Sequence, residues 1–79
     1  MDSQNMKILR YMKEHSHGIT SMEAFEKFGI TRLSGRIFEL KHNGYKIDSL
    51  MEEGINRDGN KTWYARYILK DQEEDYEQY

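Results

Sequence analysis

The sequence predicts an α+β fold, three helices followed by a β-hairpin, and three observations carry that expectation. Apolar residues recur at helical spacing as far as Asn43, and at alternate positions from Tyr45 to Leu69. Glycine stands where each pattern breaks, at Gly18, Gly29, Gly44 and Gly59. One helix, inside the stretch Gly29–Ile47 (GITRLSGRIFELKHNGYKI), is the piece the rest of the chain presents.

The first helix is expected from a cap at Asp2 or Ser3 to about His15. Ile8, Leu9 and Met12, with Met6 beside them, form its inward side, while Lys7, Arg10, Lys13 and Glu14 face out. Gly18 stops it, and Gly18-Ile19 is expected as a very short extended segment, a third strand, with Ile19 in the core. Thr20-Ser21-Met22-Glu23 fits a capping box. The Thr20 hydroxyl accepts from the third helical N–H, and the Glu23 carboxylate accepts from the N–H of Thr20. The second helix, about 21–28, is expected to bury Met22, Phe25 and Phe28 and to end at a left-handed Gly29. Ile30 reads as an apolar plug and Thr31 as the next N-cap. A two-turn capped helix, then Gly-Ile-Thr, then another helix is the helix-turn-helix pattern. In the third helix, about 32–43, Leu33, Ile37 and Leu40 fall within about 60° of one another, a narrow buried stripe. Opposite them sit Thr31, Gly35, Phe38, Glu39 and His42, flanked by Arg32 and Arg36, and Asn43-Gly44 ends the helix.

From Tyr45 the period becomes two, with Ile47, Met51 and Ile55 on one segment and Trp63, Ala65, Tyr67 and Leu69 on the next. A two-residue loop, Asp58-Gly59, would set Ala65 against Glu52 and Leu69 against Asp48. A three-residue loop, Arg57-Asp58-Gly59, sets Ala65 against Met51 and Leu69 against Ile47. A slip by one residue exchanges the faces, so the apolar match selects the second register. The turn chemistry agrees, because Asn56 opens a type I turn and Gly59 supplies the left-handed bulge residue. The other face then carries Asp48, Glu52, Tyr64 and Arg66, and less comfortably Leu50 and Ile68. Residues 1–70 thus read as one winged helix-turn-helix domain with the hairpin as its wing. No apolar periodicity follows Lys70, so 71–79 are expected to be a disordered acidic tail.

Seventy-nine residues without cysteine leave one small core to hold the fold, with no disulfide and no thiolate metal site. No run approaches the roughly 18–20 apolar residues of a membrane span, and no basic-then-apolar leader opens the chain. A cytoplasmic protein is expected, without membrane contact. The formal charge of −2 conceals a division, since DQEEDYEQY holds five acids and no base. Residues 1–70 carry twelve bases and nine acids, and the surplus lies wholly in 31–70, a weak footprint of nucleic-acid binding.

Catalytic chemistry has little to stand on. His15 and His17 have a spacing found in some metal sites, but no third or fourth ligand accompanies them, and solvated histidines at a helix end are the plainer reading. There is no glycine-rich phosphate loop and no nucleophile–base pair, so neither an enzyme nor a cofactor is expected. Binding has more. If the start of the third helix enters a major groove, Arg32 can fork onto a guanine while Thr31 and Ser34 take phosphate or base contacts. Gly35 costs a helix about 0.5–1 kcal/mol against alanine, and either marks a close approach by a partner or is a side chain simply lost. Arg36 can contact DNA or pair with Glu39 or Glu23, and Glu39 repels phosphate unless it reads a cytosine. Arg57 and Lys61, with Asn60, would give the wing a basic tip for the backbone or minor groove.

The run Gly-Ile-Thr-Arg-Leu-Ser-Gly-Arg-Ile-Phe-Glu-Leu-Lys (29–41), Asn-Gly-Tyr (43–45) and Tyr-Ala-Arg-Tyr (64–67) resemble a family of small winged helix-turn-helix proteins of bacteriophages and prophages. The resemblance covers about 4–70. It implies a three-helix domain with two or three strands, double-stranded DNA as partner, and Thr31, Arg32, Ser34 and Arg36 as contact residues. Gly35 departs from the alanine expected there, and the tail is additional.

Two readings of function follow. One is a DNA-binding regulator or architectural or recombination factor. With a body charge of only +3, it would bind weakly as a single copy and gain specificity as a homodimer, in tandem or with a partner protein. The other is a protein-binding module, for example a phage inhibitor of a host nucleic-acid enzyme, acting through Phe38, Glu39 and the tail.

Overall fold

A computed structural model describes residues 3–70, so the expected cap at Asp2 and the tail at 71–79 lie outside the described residues. The elements run α1 (Ser3–Glu14), β1 (Ile19–Thr20), α2 (Ser21–Phe28), α3 (Leu33–His42), β2 (Ile47–Ile55) and β3 (Lys61–Leu69). The strands form one antiparallel sheet in the order β1-β3-β2.

In α1, Ile8, Leu9 and Met12 are buried as their spacing requires. Met6, expected beside them, is exposed, and the inward position belongs instead to Asn5, 3% exposed. Positions 5, 9 and 12 follow one another at spacings of four and three, whereas position 6 is turned about 100° away. Asn5 Nδ2 donates to Glu39 Oε1 at 2.8 Å, tying α1 to α3, while its Oδ1 is buried without a hydrogen-bond partner among the described residues.

The chain then turns through Gly18 at φ +83° into β1, where Ile19 pairs with Tyr67 and Thr20 with Arg66. A Cβ on residue 18 would stand 2.1 Å from the Tyr67 carbonyl oxygen, so the strands meet here only because glycine has no side chain. Both halves of the capping box form: Glu23 N donates to Thr20 Oγ1 at 3.2 Å, and Thr20 N donates to Glu23 Oε1 at 3.0 Å. The expected buried face of α2 is corrected. Met22 and Phe25 are exposed, Ala24 is fully buried and Phe28 half-buried. A spacing of three drifts by about 60° per step around a helix, whereas Ala24 and Phe28, four apart, stay on one side.

Gly29 closes α2, Ile30 is a buried plug, and Leu33, Ile37 and Leu40 form the buried stripe of α3. The expected cap is displaced by one residue: Arg32, not Thr31, is the N-cap, and its side chain makes no cap bond. The Arg32 carbonyl accepts from both Gly35 N and Arg36 N, so the helix starts at Leu33 and Thr31 stays outside.

The hairpin has the three-residue loop and the expected register, with Ile47 opposite Leu69 and Met51 opposite Ala65. Gly59 N donates to Asn56 O at 2.9 Å, Asn56 Oδ1 accepts from the N–H groups of Asp58 and Asn60, and Gly59 sits at φ +86°. Among the described residues, however, its apolar face is covered only at the base, where Ile47, Tyr67 and Leu69 meet the helices. Met51, Ile55 and Trp63 are 60%, 67% and 62% exposed. Strands of nine residues reach about 30 Å and outrun a body of three short helices.

Candidate nucleic-acid interface

The two helix starts of the helix-turn-helix differ in how their backbone N–H groups are met. Thr20 and Glu23 satisfy the start of α2, whereas α3 has no side-chain cap and no acid in its first turn. Its positive end is therefore offset by nothing on the helix itself, the condition for receiving an anion. Thr31, Arg32 and Ser34 are exposed around it. Gly35 follows half-buried, yet a Cβ there would meet nothing within 4 Å, so no neighbour inside the protein demands a glycine.

Arg36 is also half-buried, with Nη2 3.4 Å from Glu39 Oε2. Glu39 accepts from Asn5 on its other oxygen and so belongs to the joint between α1 and α3 rather than to the middle of the outward face. Phe38, 68% exposed, and His42 hold that middle, their rings stacked with centroids 6.1 Å apart.

On the wing, Arg57 and Asn60 are exposed at the tip, and Lys61 Nζ lies 3.3 Å from Glu53 Oε2 in an exposed pair that contributes little to stability. The sequence-derived residues thus form two groups, Thr31–Arg36 at the head of α3 and Arg57, Asn60 and Lys61 at the tip of the wing. A cleft of about 820 Å³ runs between the wing and the start of α2, with Ser21, Met22 and Glu23 on one side and Arg57, Thr62 and Tyr64 on the other. Reading the sequence did not place α2 at this surface. Its capping box, which fixes a helix start, was the available signal.

Arg66 holds the cleft's geometry and was also missed as a positioning residue. Its Nε donates to Glu52 Oε2 at 2.7 Å and its Nη1 to Glu23 Oε1 at 3.3 Å, the same oxygen that accepts from Thr20 N. The hydrogen bond from Arg66 holds the Glu52 carboxyl below the usual carboxylate range, and the same bond raises the guanidinium further. A depressed carboxyl pKa adds stability that is present above its unfolded value and disappears as pH falls through the folded one. Glu52→Gln is therefore expected to lower the urea midpoint at neutral pH, the two proteins converging in acid. A difference independent of pH would contradict it.

His15 is engaged locally, its ring stacked on Tyr11 at 3.9 Å and its Nδ1 2.9 Å from Tyr11 O. Among the described residues no group of three or more His, Cys, Asp or Glu is placed to hold a metal ion, and no helix is long and apolar enough to cross a membrane.

Comparison with known families matches residues 3–72 to a family described as winged helix-turn-helix domain. Comparisons with curated proteins and with solved structures gave no match. Three helices with a three-stranded antiparallel sheet among the described residues, and a family match over residues 3–72, lead to one conclusion: the chain belongs to the winged helix-turn-helix domain family.

Proposed function

We propose that this chain binds double-stranded DNA, with the first turn of α3 in the major groove and the wing on the backbone or in the minor groove. In this reading it is a phage or prophage transcriptional regulator, or an architectural or recombination accessory factor, working in the bacterial cytoplasm. The observation that carries the reading is the head of α3, uncapped, free of acids and ringed by exposed Thr31, Arg32 and Ser34. Membership of a family whose domains typically bind DNA without catalysis supports it.

A fluorescence titration of labelled duplex fragments tests it. With so small a surplus of positive charge the salt slope should be roughly −3 or shallower, and deleting 71–79 should tighten binding. Absence of binding near 50 mM salt, with and without the tail, would sink the proposal. Gly35→Ala separates contact from accident. The open space predicts a helix more stable by about 0.5–1 kcal/mol, and a backbone pressed against DNA predicts an affinity loss of about tenfold or more. A higher melting temperature with unchanged affinity would remove Gly35 from the contact.

The protein-binding reading keeps one supporting observation, the exposed Phe38–His42 stack. It is weakened at Glu39, which Asn5 and Arg36 engage. Under that reading Phe38→Ala abolishes a nuclease-resistant partner and leaves DNA binding unchanged.

A further inference from the structure

β2 is an edge strand, since the order β1-β3-β2 leaves its far side unpaired among the described residues. Two bonds that close the hairpin ladder, Asn56 N to Asn60 O and Lys70 N to Lys46 O, show which residues it turns toward β3. Antiparallel ladders alternate, so the even-numbered residues of β2 bond inward. Ile47, Ser49, Met51, Glu53 and Ile55 direct their N–H and C=O groups outward.

Edges of this kind are ordinarily blunted by lysine, proline, a bulge or charge. β2, IDSLMEEGI, has neither lysine nor proline, and it pairs with β3 residue for residue without a bulge. Its three acids are each met from β3 or just beyond it. Asp48 lies 3.3 Å from Lys70, Glu52 2.7 Å from Arg66 and Glu53 3.3 Å from Lys61. The charge that would guard the edge is offset, and the flanking apolar side chains, Leu50 on one face and Met51 and Ile55 on the other, are exposed. Such an edge is a template for another strand.

We propose that the β2 edge pairs with β2 of a second copy, antiparallel about a two-fold axis at Met51. Side chains opposite one another must share a face, so a two-fold normal to the sheet passes through a residue position, and only the choice of residue is open. An axis at Met51 sets Ile47 against Ile55, Asp48 against Gly54, Ser49 against Glu53, and Leu50 against Glu52. No like charges meet, the whole strand is used, and every outward-facing residue enters a hydrogen-bonded pair. An axis at Leu50 sets Asp48 against Glu52, and an axis at Glu52 or Glu53 sets that acid against itself. The rival occupant within the chain, 71–79, brings five acids and no base, and the bases beside β2, Lys61, Arg66 and Lys70, already meet the strand's own acids. The pairing involves no nucleic acid and is independent of the DNA-binding reading.

Sedimentation equilibrium of the full chain without DNA, from about 10 µM to about 1 mM, reads the assembly directly. The expected mass approaches twice 9.5 kDa at the upper end. Met51→Lys, which opposes two cations on the axis, and Ser49→Pro, which removes an outward N–H, are each expected to give a monomer throughout with an unchanged circular dichroism spectrum. Because the chain has no cysteine, single Leu50→Cys, Met51→Cys and Glu52→Cys variants map the axis. The Met51→Cys disulfide should form fastest, since directly opposed residues of a hydrogen-bonded pair stand about 5.5 Å apart at Cα. A monomeric wild type, association that survives both substitutions, or fastest crosslinking at 50 or 52 would overturn the proposal. So would dimerisation only after deletion of 71–79, which would assign the edge to the tail.

Discussion

Gly18→Ala is expected to cost about 3 kcal/mol and to lower the melting temperature by about 15 °C. Two effects add at this position. The φ of +83° strains any L-residue, and the new Cβ would stand 2.1 Å from the backbone oxygen of Tyr67, which cannot rotate away as a side chain could. β1 must then separate from β3, and the backbone pairing that joins the helical start of the domain to its sheet is lost. A domain of this length holds on the order of 4–12 kcal/mol in total, so the loss takes a large fraction. Gly44→Ala is the control, because residue 44 has φ +101° but open space where its Cβ would go. It should cost about 1 kcal/mol, the strain alone. Thermal unfolding of the two variants decides the matter, and melting temperatures within a few degrees of each other would show that the overlap relaxes cheaply.

Arg32→Ala is expected to weaken binding to double-stranded DNA by about 10- to 100-fold while leaving the melting temperature in place. The affinity loss follows from an exposed guanidinium at an uncapped helix start. The unchanged stability follows because the Arg32 side chain makes no cap bond and its main chain, which does hold the first turn, is the same in alanine. Arg32→Lys sharpens the reading. A lysine preserves a point charge for phosphate but not the planar fork that reads a guanine. Near-wild-type affinity with lost discrimination between duplexes marks a base contact, and retention of both marks a phosphate contact. Arg36→Ala should in addition lower stability slightly, since Arg36 pairs with Glu39 beside the contact between α1 and α3. An Arg32→Ala protein that binds like the wild type would remove the head of α3 from the interface.

What could be read in the sequence was what local chemistry decides. The Thr20–Glu23 box, the Leu33–Ile37–Leu40 stripe and the Asn56–Gly59 turn each lie within a few residues, and each determines its own geometry. The register followed because a slip would have exchanged every side chain between faces. What escaped depended on distant partners. Asn5 occupies a core position because Glu39, thirty-four residues on, is there to accept from it. Arg66 gains its role from Glu52 and Glu23, fourteen and forty-three residues away. Alternation assigns Met51, Ile55 and Trp63 to one face but does not say whether anything lies over that face. At the candidate site, the exposure of Thr31, Arg32 and Ser34 was legible, whereas the withdrawal of Glu39 toward α1 was not.

The sharing of Glu23 Oε1 between Thr20 N and Arg66 Nη1 makes one carboxylate a rivet between the helix-turn-helix and its wing. Torque applied to the hairpin by a ligand is delivered to the first turn of α2 instead of being absorbed in a loose loop. Under the DNA-binding proposal, helix and wing would meet the duplex with their relative tilt set in advance, and less motional freedom would be surrendered on docking. The same rivet couples positions 23, 52 and 66. A change at any one alters what the other two can tolerate, so substitutions there should show non-additive effects on stability in double-mutant cycles.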